Sequence, residues 1–236
     1  MCRQADLVVA VGPKMKEAYS SHLRVCKKHQ YIFQLTPGTF HEFSMLEQVT
    51  REEGRFKVLT FGRGDSEDFS LKGYNIFAKA VVELQDSSYC LVFVGAPIGK
   101  QDEVAQNLLQ TGIAKDQLIV REFVQSRKRL KELFCEVDLA IMPSRTEGFG
   151  LTALEALSFG VPILVSGNSG FSHVLRDLPS GESFLVNFDD LKKWAKVIAA
   201  VRRKRRSQRL KDVQALRTSY AEAKCNWEEQ CGALNC

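Results

Sequence analysis

Between Leu139 and Ser166 the chain reads LAIMPSRTEGFGLTALEALSFGVPILVS, and this stretch leaves few folds open. The apolar run Leu139–Met142 stops at Pro143-Ser144, and the loop Arg145–Gly150 carries two glycines around Phe149. Leu151, Leu154 and Leu157 then recur at helical spacing, Gly160 followed by Val161-Pro162 closes the helix, and Ile163–Val165 is a short buried-strand run. The unit is strand, glycine-rich loop, helix, strand. Unpaired N–H groups at that helix start, together with the aligned peptide dipoles, favour an anion such as a phosphate.

Two glutamates frame the same loop. Glu147 precedes the helix and Glu155 lies eight positions on, so the pair would meet one ligand at two heights. A carboxylate only accepts hydrogen bonds and can hold two neighbouring hydroxyls at once. One carboxylate on a sugar, one on a ribose and backbone N–H groups on the diphosphate between them would suit a nucleotide-diphosphate sugar. A helix start with an acid near it explains an arbitrary glutamate pair more simply. The glycine loop and its flanking strands tip the balance here.

The rest of the chain repeats the alternation. Ala5–Val11 reads as a strand, Lys14–Leu23 as a helix and Tyr31–Leu35 as a strand broken at Thr36-Pro37-Gly38. Phe56–Phe61 is a strand turned by Gly62-Arg63-Gly64; the polar insert Asp65–Ser70 and Leu71-Lys72-Gly73 lead to a helix over Tyr74–Leu84. Leu91–Val94 ends in Gly95-Ala96-Pro97, followed by a helix over Gln101–Gln110, a strand at Leu118–Val120 and a helix Arg127–Phe134 capped by Ser126. Beyond Ser166 come the small-residue loop Gly167–Gly170, a short strand within Ser183–Val186 and a helix from Leu191, capped by Asp189-Asp190, to about Tyr220. Alternation throughout predicts an α/β fold, a Rossmann-like parallel sheet doubly wound by helices. Ligands in such sheets bind beyond the carboxyl ends of the strands, and every loop singled out above follows a strand. Arg63 and Lys72 would there form a cationic clamp beside a helix start, the guanidinium fork matching phosphate oxygens.

Glu147-Gly-Phe-Gly-Leu-x-x-x-Glu155-Ala resembles the E-x7-E signature of retaining glycosyltransferases of the GT-B fold, in particular glycosyltransferase family 4. The resemblance implies the C-terminal, donor-binding half of a GT-B fold. It assigns Glu147 to the donor sugar, Glu155 to the ribose, and Arg63 and Lys72 to the diphosphate, with Gly62, Gly95, Phe123, Gly148, Phe149, Gly150 and Leu151 around the nucleotide and Gly170 as a further candidate. Eight residues lie between Arg63 and Lys72 where four or five are commoner in the family, and Pro37-Gly38 stands where Asn-Gly is usual. The family generally needs no metal, and no D-x-D motif appears here; no cofactor is expected, and a UDP-sugar is slightly favoured as donor. By the same resemblance, residues 1–35 correspond to the end of an N-terminal domain, 36–216 to the nucleotide-sugar domain, and 217–236, with Trp227, to a helix crossing back. A separate N-terminal domain, carrying an unknown acceptor, is the implied partner, and the chain alone is expected to bind donor but transfer slowly. The alternative is a non-catalytic nucleotide-sugar binding or sensor module of a larger protein.

Composition narrows the rest. The chain has 236 residues, 44% hydrophobic and 26% charged, as in ordinary globular domains, and no apolar run approaches the roughly 18 residues of a membrane span. MCRQADLVVAVGP is too short in its apolar part for a signal peptide. Seven cysteines, an odd number without a C-x-x-C pair, argue against a zinc site or a disulfide framework and for reduced thiols, hence a cytoplasmic location. The net charge of +5 is local, because 192–211 holds ten of the 33 Lys and Arg and no acid, leaving 23 against 28 acids elsewhere. Arg202–Arg206 (RRKRR) could address nucleic acid or an anionic membrane. With no aromatic interleaved, it is expected to be the solvated face of a surface helix, with no nucleic-acid partner.

Overall fold

The computed structural model of the chain describes residues 5–26, 32–40, 54–64 and 69–224, with Gln230 and Gly232. The first strand, β1 (Val8–Val11), pairs in parallel with β2 (Ile32–Leu35) through the helix α1 (Pro13–Leu23). Val8, Ala10, Leu23 and Ile32 close a small core of their own, while Leu7, Val9 and Val11 stay on the exposed face. The expected strand over Ala5–Val11 is thus shorter, since its pairing begins at Val8.

The main sheet has six parallel strands: β3 (Phe56–Phe61), β4 (Tyr89–Ala96), β5 (Leu118–Glu122), β6 (Leu139–Met142), β7 (Ile163–Ser166) and β8 (Leu185–Val186). They lie in the order β5-β4-β3-β6-β7-β8. Between them run α2 (Tyr74–Glu83), α3 (Gln101–Leu109), α4 (Arg127–Glu136), α5 (Leu151–Phe159) and α6 (Gly170–Arg176), and after β8 come α7 (Leu191–Arg203) and α8 (Arg206–Lys224).

The side-chain alternation of each strand divides the core between the two faces of the sheet. Val58, Leu91, Phe93, Leu139, Ile141 and Leu164 pack with α2, α3 and α7, around the buried Phe77 and Trp194. Leu59, Val92, Val94, Ala140, Met142 and Val165 pack with α4, α5, α6 and α8. Covered on both sides, β4 is buried along all eight residues, which is why its sequence reads as a continuous apolar run. The order of strands reverses between β3 and β6. A doubly wound sheet opens its binding crevice at the carboxyl ends of such a pair.

Two expectations are corrected at the carboxyl end of the chain. The helix from Leu191 does not run on to Tyr220. It breaks at Lys204, which takes an extended conformation (φ −70°, ψ 141°), and α8 starts afresh at Arg206. Arg209 holds the corner, donating to the carbonyls of Arg202 (3.3 Å) and Lys204 (3.0 Å) and to Asp138 Oδ1 (3.3 Å). Nor is the basic strip uniformly solvated. Arg203, Lys204 and Arg205 are exposed, but Arg206 and Arg209 keep only 10% and 9% of their side-chain surface and share Asp138. Burial depresses the pKa of Arg209 against the opposing charge of Asp138. Arg202 lies 4.3 Å from the ring centroid of Tyr89, so the strip's inner row fastens α7 and α8 to the base of the sheet.

Trp227 and most of the insert 65–70 lie outside the described residues. Among those described, Cys90 and Cys135 are free thiols, and no helix is long and apolar enough to cross a membrane.

Candidate functional site

Backbone pairing draws three loops together at the reversal of strand order. The Arg145 N–H donates to Leu71 O at 2.8 Å, pulling the turn before α2 against the loop after β6. On the other side, Glu147 N–H donates to Asn168 O (3.1 Å), Gly170 N–H to Gly148 O (3.1 Å) and Phe171 N–H to Phe149 O (2.7 Å). This short parallel seam fixes the loop Arg145–Gly150 before it enters α5. Gly150 opens the helix at φ 106°, a left-handed conformation that favours glycine, and among the described residues no side chain caps α5.

The side chains follow from that framework. Lys72, carried by the turn bonded to Arg145, places its Nζ 2.6 Å from Glu147 Oε2; the two side chains keep about a quarter of their surface exposed. Arg63, just past β3, is exposed. Arg63, Lys72, Glu147, Gly62, Phe123, Phe149, Gly150 and Leu151 all line one cavity of about 510 Å³. Phe123 is 59% exposed and Leu151 47%, so both present apolar surface at its edge.

Three expected residues are not among those that line this cavity. Gly95 does not line the cavity; a Cβ there would stand 1.7 Å from Gly62 O, so glycine lets the turns after β3 and β4 approach. Gly148 is likewise outside the lining, and it lies against the Met15 sulfur. Glu155, on the second turn of α5, is half-buried, and burial raises its pKa above the ordinary glutamate value against the pull of Arg127. The amide of Gly170, a further candidate, is taken by Gly148 O.

Other residues at the site carried no sequence signal. Tyr74, the first residue of α2, sets its hydroxyl in the place a Gly62 side chain would need. Val11 and Met15 bring the β1–α1 segment to the cavity wall. Lys14 donates from Nζ to Thr146 Oγ1 (2.6 Å), Asn168 O (2.8 Å) and Asn168 Oδ1 (2.8 Å). No local spacing reveals a partner 132 or 154 positions away.

Chemically, the cavity joins two cations, an uncapped helix start and a carboxylate. Such a set offers positive charge and donors suited to an anion such as a diphosphate, and an acceptor suited to hydroxyl groups.

Comparison with known proteins gives a concordant result. A family described as "Family 4 Glycosyltransferase in conflict systems" matches residues 1–234. The chain is 34% identical over 132 residues to the D-inositol 3-phosphate glycosyltransferase of Mycobacterium marinum, a stretch covering 54% of this chain and 27% of that one. Sucrose-phosphate synthase from Thermosynechococcus elongatus superposes with a TM-score of 0.75 at 20% identity, over 99% of this chain and 57% of the synthase. HepE from Anabaena, solved with UDP and glucose, superposes with a TM-score of 0.74 at 16% identity, over 98% of this chain and 62% of HepE. The matches span between 27% and 37% of the first two curated relatives. The six-stranded parallel sheet matches one half of the GT-B architecture.

Proposed function

The chain belongs to glycosyltransferase family 4, in the branch described from conflict systems, and from that membership we propose that it binds a nucleotide-diphosphate sugar as the donor of a retaining glycosyl transfer. The observation that carries the reading is the cavity at the reversal of strand order, where Arg63, Lys72, Glu147 and the start of α5 meet. The diphosphate would lie at the N-terminus of α5 with Arg63 and Lys72 as its cations. Positive charge set where the leaving diphosphate gains negative charge stabilises the transition state more than the ground state. Glu147 would accept from hydroxyls of the donor sugar, and Glu155, further along α5, from those of the ribose. Phe123 offers an exposed ring for the base. UDP is the favoured nucleotide, a choice that the UDP complex of HepE supports only by analogy of fold.

Transfer also requires an acceptor held against the anomeric carbon with water excluded. The described residues supply the donor edge of the sheet, with α1 and β1 as one further wall. We therefore propose that these 236 residues on their own bind donor and transfer sugar slowly, with full turnover alongside an acceptor-binding domain. Calorimetric titration with UDP-, GDP- and ADP-sugars, with a coupled assay for released nucleoside diphosphate, tests both statements. Failure of all three donors to bind refutes the donor reading, and rapid turnover without any other domain refutes the second.

A further inference from the structure

Lys72 is engaged with Glu147, 2.6 Å away. The cation assigned to the diphosphate thus neutralises the carboxylate assigned to the sugar. For Lys72 to turn to a phosphate, it must leave a carboxylate with 22% of its side-chain surface exposed, and an unpaired charge of that kind is costly. A second ammonium stands against the same loop. Lys14 reaches the hydroxyl of Thr146, the residue before Glu147, and the carbonyl of Asn168, which itself accepts the Glu147 N–H.

We propose that Lys14 is the resident counter-charge of Glu147, acting through its field and through the loop that it holds at Thr146 and Asn168, and that it thereby releases Lys72 to a bound diphosphate. The inference rests on the donor-site reading above. Lys14 is a positioning residue and not a diphosphate ligand: an ammonium has three donors, and all three are used on Thr146 and Asn168. Its location is held by packing as well. The ring of Phe149 lies so close to Gly12 that a Cβ there would stand 2.4 Å away, and Met15 rests on Gly148. The first turn of α1 is thereby docked onto the glutamate loop. Partial burial lowers the pKa of Lys14, against the opposing charges of Glu147 and Glu17, so the ammonium lies within the field of the Glu147 carboxylate.

The test is a double-mutant cycle read by calorimetry on the whole chain, with UDP, GDP and ADP as probes. Lys14→Met should weaken binding of the preferred nucleoside diphosphate by about ten-fold, because Glu147 then retains Lys72. Lys14→Arg should restore most of that loss. In a Glu147→Gln background, where nothing competes for Lys72, Lys14→Met should have no further effect. Equal losses in both backgrounds, or no loss in either, overturn the proposal while leaving the donor site intact. A wild type that binds none of the three probes overturns the donor site and this inference together.

Discussion

Lys72 Nζ and Glu147 Oε2 lie 2.6 Å apart although 75 positions separate them in the chain. The pair is made by two unrelated loops, one ahead of α2 and one ahead of α5, joined through the Arg145–Leu71 hydrogen bond. It sets two opposite charges of the cavity against each other, and in the proposed function the donor divides them, its diphosphate going to Lys72 and its sugar hydroxyls to Glu147. That division predicts the behaviour of each residue.

Glu147→Gln removes the partner of Lys72 without changing its own size. Binding of a nucleoside diphosphate should be unchanged or tighter, while the added affinity for the intact sugar donor should fall by about ten-fold, a lost charged hydrogen bond. Parallel calorimetric titrations of UDP and a UDP-sugar measure this. Equal losses for both ligands contradict the assignment of Glu147 to the sugar.

Glu155 gives a pH-dependent prediction. Burial raises its pKa, so between the unfolded chain's value and the raised one the folded protein holds a proton that the unfolded chain has released. Stability is therefore lost as pH rises through that interval, and the loss persists at neutral pH. Glu155→Gln should melt above wild type at pH 7, with the difference closing in acid below the ordinary glutamate range. If Glu155 has the proposed ribose role, the same variant should also bind nucleoside diphosphates more weakly, because an amide replaces the carboxylate. A melting difference that does not change with pH contradicts the burial argument.

Asp138 serves the opposite end of the sheet. Its Oδ1 accepts from Arg206 (2.9 Å) and Arg209 (3.3 Å), and its Oδ2 from the Lys57 N–H (3.0 Å). Asp138→Ala leaves two nearly buried guanidinium groups facing each other. Chemical denaturation should show a loss of about 3 kcal/mol, as for other buried pairs stripped of one partner. A loss under 1 kcal/mol contradicts the view that this network fastens α8 to the sheet.

Most of the fold could be read from the residues because its signals are local. Phe56–Phe61 and Leu139–Met142 are strands over the expected residues, and Leu151–Phe159 ends at Gly160 in a left-handed conformation, as the Gly-Val-Pro sequence implies. What was not legible depends on distant partners. The break at Lys204 is set by Arg209 bonding back to helix carbonyls, and an uninterrupted run of helix formers hides it. The strip Arg202–Arg206 reads as solvated by composition, while Asp138 selects the rows that turn inward. At the site, the E-x7-E spacing marked Glu147 and Glu155. The placement of Lys14, Met15 and Tyr74 depends on how β1–α1 and α2 dock, which no periodicity encodes.

The central claim is that Arg63 and Lys72 clamp a diphosphate at the start of α5. The most direct measurement is calorimetric titration of a nucleoside diphosphate, UDP first, into wild type, Arg63→Ala, Lys72→Ala and the double variant. Each single variant should lose about 1.5–3 kcal/mol of binding free energy, the range for charged hydrogen bonds, and the double variant should show no measurable binding. A double variant that binds UDP as tightly as wild type contradicts the account.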